Sequence, residues 1–160
     1  MQTSTHVSDE KKEELGIIFP GMRDHHILNI YRDLRNKLLR ISDYQNFVCV
    51  LSSLSPDGDT AKLSMNLAAV FAFDKSRSSI VIECDTNHSL IEKLSTQESD
   101  NGLIDFIEND LDDISILIQE SGIERLRIVP AGNVIETSTE SLESIRMREI
   151  VTELKKRYPD

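Results

Sequence analysis

Residues 46–71 read "NFVCVLSSLSPDGDTAKLSMNLAAVF", and the way this stretch divides decides the fold. "NFVCVLSS" (Asn46–Ser53) is a β-branched and apolar run without alternation, the pattern of a strand buried on both faces. "SLSPDGDTAK" (Ser53–Lys62) is dense in turn formers. From about Ala61 to Phe73 the apolar residues return at helical density. Strand, turn and helix in this order gather backbone N–H groups and a helix N-terminus around a phosphate. The turn, however, carries aspartates in place of the residues that hold phosphate.

Downstream, "SIVIECD" (Ser79–Asp85) reads as a second buried strand, and Gly102–Asn109 and Asp113–Gln119 as short helices. "RLRIVPAG" (Arg125–Gly132) reads as a third strand closed by proline and glycine. Thr139–Arg157 is amphipathic, with Leu142, Ile145, Ile150, Val151 and Leu154 expected inward. Upstream, Met22–Ile41 has helical spacing, with Ile27, Ile30, Tyr31, Leu34, Leu38 and Ile41 on one face. Its other face sets Arg23, Arg32, Arg35, Lys37 and Arg40 against Asp24 and Asp33. Residues 1–21 are expected to be a flexible N-terminal tail ending in the apolar anchor "IIFPG" (Ile17–Gly21), and 22–160 a single domain. Strands alternating with helices predict an α/β fold with a mainly parallel sheet flanked by helices.

The 160 residues carry a net charge of −10, which argues against general nucleic-acid binding because phosphate contacts need a basic surface. Hydrophobic residues at 39% and charged residues at 29% describe a globular chain. Cys49 and Cys84 lie in apolar runs with no metal-ligand spacing, so buried free thiols in a reducing cytosol are expected. "FVCVL" and "LAAVFAF" are too short to span a bilayer, and Met1–Glu14 lacks an apolar signal core. A cytoplasmic protein follows, with any membrane association peripheral at the inner face of the cell membrane. His25 and His26 are adjacent and point apart on a helix, which favours surface residues over metal ligands. His88 is read as a helix-start residue beside the loop.

Four segments in order resemble the capsular and exopolysaccharide ATPases, including the bacterial tyrosine kinases, within the ParA/MinD-like P-loop proteins. Ser53, Pro56 and Asn66-Leu67-Ala68 match S-x-x-P-G-E-G-K-T-T-x-A-x-N-L-A without a gap. "NIYRDLRNKLL" (Asn29–Leu39) resembles S-E-A-Y-R-x-L-R-x-N-L, and "GLIDFIENDLDDI" (Gly102–Ile114) resembles G-L-S-D-x-L followed by an acidic helix start. "LRIVPAGNVIETSTESLESIRM" (Leu126–Met147) resembles L-x-V-L-P-A-G-x-x-P-P-N-P-x-E-L-L-x-S-x-x-M, keeping Pro130, Ala131, Gly132, Glu140, Leu142, Ser144 and Met147. The resemblance covers Ile27–Tyr158 and implies a P-loop NTPase-like domain.

In that register the loop is degenerate over Pro56, Asp57, Gly58, Asp59, Thr60, Ala61 and Lys62. The family's two loop glycines fall on Asp57 and Asp59, its lysine on Thr60 and its first threonine on Ala61. Close backbone approach, neutralisation of phosphate charge and the Mg²⁺-holding hydroxyl are lost together. Shifting the register by one still leaves Asp59 at the lysine position. A reach back by Lys62, one helical turn on, is the remaining route to a cation. The family's D-x-D motif falls on Glu83, Cys84 and Asp85, so Glu83 replaces the metal-associated aspartate, and Asp85 is expected to cap the next helix. No segment corresponds to the Walker B half or to a tyrosine cluster; Tyr31, Tyr44 and Tyr158 are isolated. Neither ATP nor Mg²⁺ is expected to bind, no other cofactor is implied, and no catalytic residue is assigned.

Without a Walker B strand beside it, Asn46–Ser53 is expected to leave an apolar sheet edge. Such edges invite a homo-oligomer or a covering partner, unless the 160 residues belong to a longer chain. Asn29, Arg32 and Arg35 fall on the family's E-x-x-R-x-x-R oligomer motif, with the acidic member lost. By resemblance, the partners are a membrane chain-length regulator of polysaccharide export or an active kinase homologue, and the role is that of an inactive scaffold or regulator. Two alternatives stand beside it. One is a nucleotide-binding protein or tyrosine kinase whose unusual loop is completed by another subunit. The other is a ParA/MinD-like positioning or pilus-assembly protein.

Overall fold

Helix starts in this chain are set by side-chain caps. Ser8 accepts from the Lys11 N–H, Asp24 from those of His26 and Ile27, Asp59 from Lys62, and Ser144 from Met147. Each satisfies a donor that the first helical turn leaves orphaned. The computed structural model describes residues 7–55, 59–85, 90, 94, 101–108, 113–132 and 142–158. In chain order the elements are α1 (Asp9–Glu14), α2 (His25–Ile41), α3 (Thr60–Ala72), β1 (Ser79–Ile82) and α4 (Leu103–Glu108). A 3₁₀ turn (Ile114–Leu117), β2 (Gln119–Glu120), β3 (Leu126–Val129) and α5 (Ile145–Arg157) follow.

The sheet has the order β1-β3-β2. β1 and β3 run parallel over Ser79–Ile82 against Leu126–Val129, while β2 joins β3 antiparallel over two residues. Both faces are covered. Val81, Leu126 and Ile128 pack on Met65, Ala68, Ala69 and Ala72 of α3. Ile80, Ile82 and Val129 pack with Leu103 and Phe106 of α4 and Ile150 and Leu154 of α5. Alternate residues of β1 thus feed opposite cores, as the pleat requires. On the outer side of α3, Leu67 and Val70 bury against Leu28 of α2 and against Ile18. The result is an α/β sandwich of α2 and α3, the sheet, then α4 and α5.

The N-terminal segment departs from the expected flexible tail. Asp9–Glu14 is helical, and it runs into the expected anchor, where Ile17 and Ile18 are fully buried. Lys12 is buried too, paired with Asp9 at 3.1 Å and lying over the Phe19 ring at 5.9 Å. A six-residue helix of charged residues has no apolar period to read, and its docking comes from the anchor that follows.

Asn46–Ser53 is the second departure, since among the described residues it joins no ladder. Phe47 and Leu51 are half-buried, but Val48 and Val50 are 55% and 86% exposed, so this run is not the buried strand its composition predicts. A strand needs a neighbour, and a groove separates this segment from β1. Full burial of a Val side chain contributes about 1.5–3 kcal/mol, so about 2–4 kcal/mol is not gained at Val48 and Val50. Cys49 and Cys84 are both exposed, against the expectation of buried thiols, because one lies on this unpaired run and the other beyond the end of β1.

Smaller differences have local causes. The expected helix at Asp113–Gln119 shrinks to a single 3₁₀ turn, and the chain then pairs with β3. α5 begins at Ile145 with Ser144 as its cap, and Leu142 and Ile145 are exposed instead of inward; residues 139–141 of the expected helix lie outside the described residues. On α2, Tyr31, Leu34 and Leu38 of the expected face pack on the core, whereas Ile27, Ile30 and Ile41 are exposed and Leu28 and Leu39 are buried in their place.

Candidate functional site

The turn before α3 is the place where phosphate chemistry would have to occur. Asp59 is the N-cap of α3, its Oδ1 accepting from the Lys62 N–H at 2.9 Å. Its Oδ2 lies 2.9 Å from Lys62 Nζ. The chain's own carboxylate therefore sits at the positive end of α3, and the nearest lysine is paired with it. The Lys62 side chain also runs past Gly16, where an added Cβ would come 3.3 Å from Lys62 Cε. Thr60 and Ala61 form the first turn, and the Thr60 carbonyl accepts from Ser64 Oγ at 2.9 Å. Pro56, Asp57 and Gly58 lie outside the described residues.

The energetics are modest term by term. A cap contributes about 1 kcal/mol, and the Asp59–Lys62 pair, with side chains 53% and 42% exposed, adds less than about 1 kcal/mol. A phosphate brought within about 4 Å of Asp59 would meet about 1 kcal/mol of repulsion at the dielectric of water and about 4 kcal/mol at an effective value near 20. Each 1.4 kcal/mol is about tenfold in affinity. Cap, pair and repulsion all act against an incoming polyanion.

The acidic motif after β1 divides by environment. Glu83 is buried, its backbone N–H donating to the Val129 carbonyl at 3.0 Å and its Oε1 accepting from the Leu90 N–H at 3.1 Å. It ties Leu90 to the end of β1. Asp85 is exposed, and His88 lies outside the described residues. Although Cys84 is exposed as a residue, the protein packed around its thiol desolvates it and, with the Glu83 carboxylate, pushes it above its ordinary value. Among the described residues no group of three or more His, Cys, Asp or Glu is placed to hold a metal ion. His25 and His26 are exposed at the start of α2. No described helix is long and apolar enough to cross a membrane.

The α2 triad is split. Asn29 and Arg32 face solvent, whereas Arg35 turns inward and donates from Nη1 to the Val70 carbonyl at 2.8 Å. Val70 lies in the last turn of α3, so Arg35 satisfies a carbonyl at that helix's negative end. The "GLID" and "PAG" segments, read separately in the sequence, meet in space. The Pro130 and Ala131 carbonyls accept from the Leu103 and Ile104 N–H groups, both at 2.9 Å, and cap α4. Gly102 packs so closely on Gly132 that a Cβ on either would collide, and Gly132 holds φ at 90°. Asp105 accepts from the Gly102 N–H at 2.8 Å.

Sequence reasoning missed the role of Asn66. It is buried, accepts from the Ile18 N–H at 2.7 Å and donates to the Gly16 carbonyl at 3.0 Å. A lone polar residue in "MNLAAV" was the available signal. Also unread was the groove of about 390 Å³ between residues 45–51 and β1, walled by α3 and α5.

No protein-family model and no curated protein matches this chain. Solved structures do. The BceF tyrosine kinase domain superposes with a TM-score of 0.73 at 22% identity, covering 94% of this chain and 62% of that one. The kinase domain of Escherichia coli tyrosine kinase ETK gives 0.76 at 23% identity, covering 89% and 56%. The VpsO kinase domain gives 0.69 at 22%, covering 94% and 68%. The chain thus spans 62% and 56% of the first two kinase domains it matches. It has the P-loop kinase-like α/β fold of these bacterial tyrosine kinase domains, with its small sheet between helices.

Proposed function

We propose that this chain is a capsule- or exopolysaccharide-type relative of the bacterial tyrosine kinases that works without phosphoryl transfer, as a scaffold or regulator in polysaccharide synthesis or export. The observation that carries the reading is Asp59, which caps α3 and engages Lys62 at 2.9 Å where a phosphate would need open N–H groups and an unengaged amine. The kinase-domain neighbours and the four motif-like segments support the polysaccharide setting. A membrane chain-length regulator or an active kinase homologue is the partner this role calls for, at the cytoplasmic face of the membrane, and nucleic acid is not.

Calorimetric titration with ATP and ADP, with and without Mg²⁺, tests it. No saturable heat up to about 1 mM nucleotide, weaker than about −4 kcal/mol, is the expected result. Mg²⁺-dependent saturation would overturn the reading in favour of a nucleotide-binding protein or kinase. Lys62, already at the N-terminus of α3, favours that second reading to the extent that another subunit draws Asp59 away and completes the loop.

A further inference from the structure

α1 ends in a glycine turn that lies against the candidate site. With Leu15 as C-cap, the Gly16 N–H donates to the Glu13 carbonyl at 3.0 Å and the Ile17 N–H to the Lys12 carbonyl at 2.8 Å. Gly16 takes a left-handed φ of 68° to make this paired closure, a region that glycine enters without strain. Its bare backbone lies beside the Lys62 side chain. A Cβ added at Gly16 would meet Lys62 Cε at 3.3 Å, Cδ at 3.5 Å and Nζ at 3.7 Å. Asn66 is four residues on from Lys62 and so on the same face of α3. It accepts from the Ile18 N–H at 2.7 Å and donates to the Gly16 carbonyl at 3.0 Å. One stripe of α3 therefore grips the N-terminal segment at Asn66 and is covered by it at Lys62.

This cover changes what the Asp59–Lys62 pair can do. A lysine carries its charge on a flexible four-carbon stem, and a pair with side chains 53% and 42% exposed contributes little when that stem is free to turn away. With the stem laid along the Gly16 backbone, the rotamers that would swing the amine over the N-terminal segment are closed to it. The amine stands instead 2.9 Å from Asp59 Oδ2. The far end of the segment is anchored away from this site. Val7 and Leu15 pack on the core beneath α3, Val7 also lies beside Gly122, and buried Lys12 pairs with Asp9.

We infer that residues 7–18 form a regulatory strap: docked on α3 it latches the Lys62 amine onto Asp59, and released it sets that amine free at the head of the helix. Coupling of this kind is reciprocal, so the ion pair also helps to hold the strap down. The inference deepens the proposed function by naming what governs its site, and it rests on that reading only for the meaning of the pair. The experiment below contains no nucleotide. Binding of ATP would end the proposed function and leave the coupling where it stands.

Brief acetylation read by peptide mass spectrometry measures the Lys62 amine against exposed Lys75 in the same sample, and hydrogen exchange over residues 8–18 measures docking of the strap. Gly16→Val strains the left-handed turn and crowds Lys62, whereas Asn66→Ala loosens the strap and leaves Gly16 in place. Each should speed exchange and raise Lys62 labelling about two- to fivefold, the range of an exposed ion pair. Asp59→Asn keeps a helix cap without the charge. In that background Lys62 labelling should start high and rise no further with either change, and the strap should already exchange faster. Circular dichroism checks the fold of each variant, and should Gly16→Val not fold, Asn66→Ala carries the same comparison. Faster exchange with Lys62 labelling unchanged would overturn the inference. Equal labelling gains with and without the Asp59 carboxylate would overturn it too, leaving the strap a steric cover alone. So would Lys62 labelling as fast as Lys75 in the unaltered protein.

Discussion

Replacing Asn66 with alanine tests whether the N-terminal segment is part of the folded domain. The Asn66 carbonyl oxygen accepts from the Ile18 N–H at 2.7 Å, and its amide donates to the Gly16 carbonyl at 3.0 Å. A third contact, to the Tyr31 hydroxyl at 3.4 Å, is too long to count for much. Ile18 is fully buried, so its N–H would be left without water or partner, at a cost of about 1–3 kcal/mol. Gly16 is only partly buried, so its carbonyl rehydrates and the loss there is about 0.5–1 kcal/mol. With a small packing loss added, the expected destabilisation is about 3 kcal/mol, a sizeable part of a typical 5–15 kcal/mol. For a chain of this size each kcal/mol moves Tm by about 2–4 °C, which gives a fall of about 6–12 °C. Urea unfolding followed by circular dichroism measures the loss, and tryptic cleavage at Lys11 and Lys12 reports release of the segment. Tyr31→Phe is the control and should cost less than about 0.5 kcal/mol. A loss below about 1 kcal/mol, or an Asn66→Ala protein still resistant at Lys12, would refute the reasoning.

Other perturbations follow from the same contacts. Asp59→Ala removes the cap of α3 and its exposed ion pair and should cost about 1–2 kcal/mol in urea unfolding, whereas Asp59→Asn, which still caps, should cost less than half of that. Arg35→Ala takes away the donor at the Val70 carbonyl and the packed stem, with an expected loss of about 1–2 kcal/mol by the same measurement, and Arg35→Lys should restore only part of it. The Asp74 carboxyl is held below its ordinary value of 3.8 first by the Ser76 N–H, then by the Ser76 hydroxyl, with Arg77 and Arg35 nearby; the Asp113 carboxyl is held down first by the Ser115 hydroxyl and then by its N–H. A carboxylate with a depressed folded pKa contributes stability above its unfolded value and loses it as pH falls through the folded one. The urea midpoint should therefore decline below about pH 4, and less steeply in Asp74→Asn/Asp113→Asn. Because the Cys84 thiol is raised above 9.0 by burial and Glu83, its alkylation rate should still be climbing at pH 9, which single-cysteine variants measured by mass spectrometry will show.

What the sequence revealed was what local chemistry controls. The helix after the loop, the strands at Ser79 and Leu126 and the short helix at Leu103 emerge close to where periodicity and turn residues place them. Their apolar residues are matched by neighbours contributed by the same chain. "NFVCVL" has the composition of a buried strand, but composition cannot supply a ladder partner, and among the described residues none is present. The same gap explains why Cys49 is exposed, while Cys84 is exposed because it lies beyond the end of β1. In the opposite direction, "DEKKEE" reads as solvated chain, yet it is held by Ile17, Ile18 and Asn66, contacts made about 50 residues away that no window could register. At the candidate site, the sequence shows that Asp59 and Lys62 are present; only the structure shows them paired and capping.

The motif-like residues also divide by physical role. Asn66 fastens the N-terminal segment, Arg35 closes the end of α3, Gly102 and Gly132 allow two backbones to touch, and Pro130 and Ala131 cap α4. Each would be needed for packing whether or not a phosphate ever bound. The positions whose only duty would be phosphate and metal are those at Asp57, Asp59, Thr60 and Ala61, and these are the ones that depart from the family pattern. On the proposed reading, in which no phosphoryl transfer occurs, the first set would still be needed for folding and the second would not. Resemblance in the packing residues is therefore evidence for the fold and carries no weight for phosphoryl transfer. The activity question rests on the loop, where a carboxylate already occupies the helix terminus and its lysine is engaged.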